Sequence, residues 1–311
     1  PFKQLHNKEL LKKICRDFTN SDGDAMYLAI SSITSQYDLK KAKELYDDLI
    51  KPAEKYFPPH CILCIIPDHD IANCPFPLLY DGEKYLIEKY PIVYAFSCTE
   101  LANILRRPKP KATSVLSIGN PKITIFKGKK YPSLPLCRKE AEEISKITND
   151  GIFLWEKEAT ETIFKQLVRS YQIIHIASHG EEETGLPLFV ADKTNDGILT
   201  PDEVVGLGLN AEIMTLNTCD TLRARGLIRN LLNNGVNTVL TTQFPNLSGY
   251  STSEFLLRFY KKWLSGKSKV EAYRESALEI KNDYKIKLNG KEYPCDLPFF
   301  WASFVLIGDW R

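Results

Sequence analysis

From about residue 115 onward the chain repeats one rhythm: a short apolar run, then a segment with helical spacing. VLSIG (115–119), GIFLW (151–155), QIIHIAS (172–178), EIMTLN (212–217), NTVLTT (237–242) and WASFVLIG (301–308) are the apolar runs. They are short, rich in β-branched residues and largely free of polar alternation, which suits strands buried on both faces. Between them, CRKEAEEISKI (137–147), ATETIFKQLVRS (159–170) and LIRNLLNNG (227–235) space their apolar residues as helices do. Two more helices are expected over 250–264 and 269–285. Thr160 suits an N-cap, and Gly235 suits a helix end. Strands alternating with helices predict an α/β fold, a mostly parallel sheet covered by helices on both faces. In such sheets chemistry gathers at the carboxyl ends of the strands.

The first third of the chain reads differently. Residues 1–57 are expected to be helical, with Leu45, Leu49 and Ile50 at helical spacing and Pro52 kinking or restarting the helix. CILCIIP (61–67) suits a buried strand, and KYLIEKYPIVYAF (84–96) one or two strands. RRPKPKA (106–112) is charged, holds two prolines and has no apolar period, so it reads as a linker. Three units follow: a helical segment over 1–57, a smaller unit over 58–112 and a larger one over 113–311.

Composition narrows the function. Of 311 residues 43% are hydrophobic and 26% charged, an ordinary balance that can bury a core. The formal net charge of +2 lacks the basic surplus of a general nucleic-acid binder, so no nucleic-acid partner is expected. The lysine runs at 127–130 and 261–262 read as solvated faces. No apolar run approaches the roughly 20 residues that cross a bilayer, so no membrane is expected. The eight cysteines are scattered and mostly apolar in setting, the pattern of reduced thiols in a cytoplasmic protein. The sequence starts at Pro1 without a visible signal peptide and reads as part of a longer or processed chain.

Two expected strand ends carry reactive side chains. HIASHG delivers His179 and Gly180, and MTLNTCDT delivers Cys219 just before an expected helix. The two lie 40 residues apart, consistent with neighbouring strands joined by a crossover. A thiol with a pKa near ~8.5 is mostly protonated at neutral pH, and a nearby imidazole can take its proton. The amides of Gly180 and Cys219 are placed to hold the oxyanion that forms on the attacked carbonyl. A cysteine at a strand end is usually a small buried hydrophobe. It is the pairing with His179 on a consecutive strand that points to catalysis. His175, four residues earlier, reads as a packed core residue.

These segments resemble the CHAT domain, a caspase-like peptidase related to caspases and separase and often found behind TPR repeats. HIASHG is similar to the family's histidine turn, and LNTCDTL to its nucleophile turn. DGILTPDEV (196–204), GVNTVLTT, FLLRFYKKWLSG and PFFWASFVLIGDW continue the resemblance. So do ELYDDLIKP, IIPDHDIANCPFPLL, YLIEKYPIVYAFS and LPLCRKEAEEI upstream, so that it covers roughly residues 42 to 311. It implies a caspase-like sheet sandwiched by helices, with a pseudo-caspase half and N-terminal helices before it. It also implies a cysteine endopeptidase with His179 as general base, Cys219 as nucleophile, and Gly180 and Cys219 as the oxyanion hole. No cofactor is implied. The implied partners are a protein substrate and a regulatory protein acting through an N-terminal TPR-like region, in a setting such as CRISPR-associated bacterial defence. The competing expectation is a non-catalytic CHAT-type scaffold.

Two departures from the family matter. After NTVLTT the family often shows acidic residues, and separase carries one that binds arginine. Here the stretch runs through Gln243, Phe244, Asn246 and Ser248, the expected substrate pocket, with no carboxylate to pair with a basic side chain. An uncharged or apolar residue is therefore expected before the scissile bond. The second departure is Leu222, where a glycine is common.

Cys61, Cys64, His69 and Cys74 have the spacing of a zinc knuckle. A knuckle needs tight turns around its first two ligands, whereas Ile62, Leu63, Ile65 and Ile66 favour an extended strand. No metal site is expected here.

Overall fold

The computed structural model describes residues 38–68, 71–123, 125–181, 183–219, 221–243, 250–288 and 290–311. Residues 1–37 of the expected helical segment lie outside them. The described chain opens with α1 (Leu39–Leu49), capped by Asp38, whose carboxylate accepts from the amides of Lys40 and Lys41. Pro52 restarts the helix as α2 (Lys51–Glu54), because a proline is tolerated only in a first turn.

β1 (Leu63–Ile65) forms where the apolar run predicts a strand, but it is not buried on both faces. Ile62 and Ile66 are each 38% exposed, because β1 is an edge of the sheet and is covered on one side only. Of the one or two strands expected over 84–96 one forms, preceded by a helical turn: α3 (Leu86–Lys89), then β2 (Ile92–Tyr94). Glu88 decides this locally: its carboxylate reaches back to accept from the Tyr85 amide at 2.8 Å, satisfying a donor at the helix start. α4 (Cys98–Leu105) follows, with Ser97 accepting from the Glu100 amide. The proline-rich stretch after it holds no helix or strand.

Then the strand and helix rhythm takes over, starting with β3 (Ser114–Pro121), buried along its length, and a small hairpin, β4 (Ile125–Phe126) and β5 (Lys129–Lys130). Next come α5 (Pro135–Ser145), β6 (Asp150–Glu156), α6 (Glu161–Leu167) with Thr160 as its cap, and β7 (Ile173–Ala177). α7 (Pro201–Val204), β8 (Ile213–Asn217), α8 (Arg225–Asn233) and β9 (Thr238–Thr242) follow. α9 (Ser251–Leu264) and α10 (Lys269–Asp283) lead into a hairpin of β10 (Lys285–Leu288) and β11 (Lys291–Pro294). α11 (Pro298–Trp301) and β12 (Phe304–Gly308) close the chain.

Eight strands form one sheet in the order β1-β2-β12-β9-β8-β7-β3-β6. All pairs are parallel except β12 with β9. α9, α10, the β10–β11 hairpin and α11 separate β9 from β12, which enters the sheet antiparallel to β9. β1, β2 and β12 therefore run opposite to the other five strands. α5, α9 and α10 pack together on one face of the sheet, and α4, α7 and α8 on the other. Phe255 on α9 stacks on Phe304 of β12 at 4.9 Å, and both are buried. Burying each such ring contributes roughly 1.5–3 kcal/mol.

α5 lies unusually close to β3. A Cβ on Gly119 would sit 2.6 Å from both the Ala141 Cβ and the Cys137 carbonyl oxygen. Gly119→Ala is expected to force the helix off the strand and cost about 1–3 kcal/mol of stability. Urea denaturation measures this, and an unchanged midpoint would contradict the close contact.

Candidate active site

β7 and β8 pair in register, with Ala177 opposite Asn217. His179 and Cys219 each lie two residues beyond that pair, so the two strands deliver them at the same edge of the sheet. The backbone turns just past them. Ser178 donates to the Leu188 carbonyl at 2.5 Å, the Leu188 amide donates to the His179 carbonyl at 3.0 Å, and Gly180 bridges to Pro187. Gly180 presses against the turn that holds Cys219: a Cβ there would lie 2.7 Å from the Cys219 carbonyl oxygen and 3.4 Å from its nitrogen. Only glycine allows that approach.

His179 is half-buried, and its Nε2 donates to the Pro132 carbonyl oxygen at 2.8 Å. A carbonyl can only accept, so the proton of the neutral ring sits on Nε2 and Nδ1 keeps its lone pair. The Tyr131 ring meets the imidazole edge-on at 5.0 Å. Both contacts come from the segment that follows the β4–β5 hairpin. Burial holds His179 below its usual pKa, while the bond to Pro132 works in the other direction without overcoming it. Next to it, Glu181 accepts from the amides of Glu183 and Thr184 and from the Thr184 hydroxyl. Burial would raise this carboxyl, but those bonds prevail and hold it below the usual range, fixing the loop beside His179.

Cys219 is half-buried at the end of β8. The expected helix does not start directly after it. A 3-10 turn, Thr221–Arg223, comes first, and α8 begins at Arg225. Hydroxyls take over the task of fixing the turn. Thr218 and Thr221 bond through their side chains, Thr242 donates to the Thr218 carbonyl, and the Thr221 amide donates to Thr242 at 3.3 Å. These groups are buried, so each bond also removes the cost of an unsatisfied polar atom. Leu222 is 8% exposed and packs into the core.

Below the two strand ends lies a buried carboxylate. Glu140 on α5 accepts from His175 Nε2 at 3.0 Å, from Asn217 Nδ2 at 2.6 Å and from the Ser253 hydroxyl at 2.6 Å. His175 is thus a core residue, as its position in the strand suggests, but a bonded one. Gln243, at the end of β9, is buried, and its side chain donates to the Ala302 carbonyl at 2.5 Å. Phe244, Asn246 and Ser248 lie outside the described residues.

Pro132, Glu140, Thr218, Thr221 and Thr242 were not singled out from the sequence. Pro132 acts through a backbone oxygen, which leaves no side-chain signal. Glu140 sits in a helix full of acids, where it looks solvated. Of the knuckle-spaced residues, Cys61, Cys64 and Cys74 are described and His69 lies outside. Burial pushes the Cys74 thiol up to about 12, away from the thiolate that a metal requires. Among the described residues no group of three or more His, Cys, Asp or Glu could hold a metal ion.

The family model for the CHAT domain matches residues 39–309. The chain belongs to the CHAT domain family. Its fold is similar to that of separase in two structures of the Saccharomyces cerevisiae separase–securin complex. These have TM-scores of 0.52 and 0.51 at 14% identity, covering 80% of this chain and 15% and 16% of the separase chains. An Arg-specific cysteine proteinase, gingipain R, aligns at a TM-score of 0.45 and 10% identity over 71% of this chain and 55% of its own. This CHAT domain thus spans about a sixth of the length of the separase chains it matches. No curated protein matches it. The caspase-like fold is a cysteine-peptidase fold, and no helix among the described residues is long and apolar enough to cross a membrane.

Because His179 titrates below 6.5, the unfolded chain takes up its proton first as the pH falls, and this group destabilises the fold on acidification. Nitrogen NMR is expected to show a His179 midpoint below 6.5 and the Nε2–H tautomer above it. A midpoint above 6.5, or an Nδ1–H tautomer, would contradict the placement against Pro132.

Proposed function

We propose that this CHAT domain is a cysteine endopeptidase that cleaves a protein substrate through His179 and Cys219. What supports this most is the register of β7 and β8, which brings both strand ends to one edge, together with a histidine whose Nε2–H is held by Pro132. Its Nδ1 is then the base. It takes the Cys219 thiol proton as the sulfur adds to the peptide carbonyl, and the C=O electrons move onto oxygen. The Gly180 and Cys219 amides serve that oxyanion. The intermediate collapses, the C–N bond breaks, and His179 gives its proton to the leaving amine. A thioester remains on Cys219. Water, deprotonated by His179, attacks it, and the acid product and the thiol are released. No step calls on a cofactor.

The stretch from Gln243 through Phe244, Asn246 and Ser248 forms the pocket for the residue before the scissile bond, and its lack of carboxylates disfavours arginine and lysine there. Residues 58–112 act as the supporting half. Their strands β1 and β2 run opposite to β7 and β8 and end at the other edge of the sheet. The described cysteines are thiols, which fits a reducing compartment such as the cytoplasm. An unrestrained endopeptidase there is harmful, so a TPR-like N-terminal region or a bound regulator keeps the site inactive until a signal arrives. Bacterial defence, including CRISPR-associated systems, is a fitting context. Separase, similar in fold, is seen in complex with the protein securin.

A proteome-wide cleavage profile tests the reading. Cys219→Ala is expected to abolish all cleavage, and His179→Ala to slow it by about 10²–10⁴-fold. Retained cleavage in Cys219→Ala contradicts the peptidase. A biological effect that survives in that variant points to the scaffold alternative. In a peptide panel, uncharged residues before the scissile bond are expected to be preferred, and a clear preference for arginine overturns the pocket assignment.

A further inference from the structure

The carboxylate of Glu140 takes no part in bond-making, yet it touches both strands that carry His179 and Cys219, and the helix α9 beside them. Its Oε1 accepts from His175 on β7 and from Asn217 on β8, and its Oε2 accepts from Ser253 in the first turn of α9. His175 lies four residues before His179, and Asn217 two before Cys219. α9 (from Ser251) is the first helix after β9, the strand next to β8 in the sheet. Glu140 is 2% exposed, and His175 and Asn217 are fully buried.

Burying a carboxylate, an imidazole and an amide is costly. Apolar side chains could fill the same space without that cost, and replacing buried charges by hydrophobes often stabilises a protein. What apolar packing lacks is direction. Methyl groups tolerate a sliding strand, whereas a carboxylate oxygen shared by donors on two strands does not. The bond to Glu140 orients the His175 ring together with an edge contact to the Tyr260 ring at 6.4 Å, since its Nδ1 is buried with no hydrogen-bond partner among the described residues. Asn217 pairs with Ala177 across the strands, so the brace crosses the same step of the sheet that leads to the site.

Resting on the peptidase reading above, we infer that Glu140 is a positioning residue. Its carboxylate cross-braces β7 and β8, ties both to α9, and so holds His179 and Cys219 in the mutual placement that proton transfer needs. A misplacement of about 1 Å can cost roughly 100-fold in rate.

The test needs no substrate. The full chain is treated with iodoacetamide at neutral pH, and alkylation of Cys219 is followed by peptide mass spectrometry. Free glutathione in the same mixture is the reference thiol, because burial pushes the protein's own Cys64 up to about 11. In the wild type, Cys219 is expected to react at least about tenfold faster than glutathione, since His179 takes its proton. Glu140→Ala is expected to cut that ratio about tenfold. Glu140→Gln is expected to keep it within about threefold, because the amide oxygen accepts from His175 and Asn217 and the NH₂ donates to Ser253. Ser253→Ala removes the outermost donor and is expected to lower the ratio by about threefold.

A high wild-type ratio that Glu140→Ala leaves unchanged overturns the positioning role alone. If Glu140→Ala does not fold, an unchanged ratio in Ser253→Ala overturns it. A fall in Glu140→Gln as deep as in Glu140→Ala overturns the brace in favour of simple charge. A wild-type Cys219 that reacts no faster than glutathione overturns the peptidase reading, and the positioning role with it.

Discussion

The pairing of β7 with β8 is the constraint on which the site depends. Because strand side chains alternate, a slip of one residue would turn every side chain of one strand to the other face of the sheet. The register is fixed by more than backbone bonds. Ser117, His175 and Thr215 lie in one row across β3, β7 and β8, all buried. Each is tied to a helix above: Ser117 donates to the Ala141 carbonyl, His175 bonds Glu140, and Thr215 bonds the Tyr260 hydroxyl. A slipped strand would leave these polar groups unsatisfied in the core, at about 1–3 kcal/mol each. The row thus penalises wrong pairings that an all-apolar face would tolerate.

The same logic runs outward to the edge. Gly119 lets α5 sit hard against β3, which puts Glu140 within reach of both central strands. Beyond the last register pair, hydroxyls of Thr218, Thr221 and Thr242 hold the turn around Cys219, and Pro132 holds the ring of His179. His179 and Cys219 are thus carried by loops, but by loops fixed on rigid strands, an arrangement that suits the proposed chemistry.

Much of this was legible in the sequence because burial imposes period. The large-sheet strands β3, β6, β7, β8, β9 and β12, the Thr160 cap and the restart at Pro52 all follow from local pattern. What failed locally failed for identifiable reasons. CILCIIP looked like a fully buried strand, but an edge position leaves Ile62 and Ile66 partly exposed, and position in a sheet is not written in a short run. The loose alternation of KYLIEKYPIVYAF suggests strand throughout, yet Glu88 caps its first part into a helical turn. The hairpin of β10 and β11 has too little apolar alternation to stand out. At the site, His179 and Cys219 stand out in the sequence by type and spacing. Their supports do not, because a proline carbonyl, three threonines and one glutamate among many have no distinctive pattern.

The central claim is that the sulfur of Cys219, activated by His179, becomes acylated. The direct measurement is to mix the protein with a p-nitrophenyl ester of an N-acyl amino acid, quench in acid and locate the acyl group by peptide mapping. The expected result is a thioester on Cys219 that forms far more slowly in His179→Ala at the same pH. Ester hydrolysis undiminished in Cys219→Ala, or an acyl group found on another residue instead, would contradict the account.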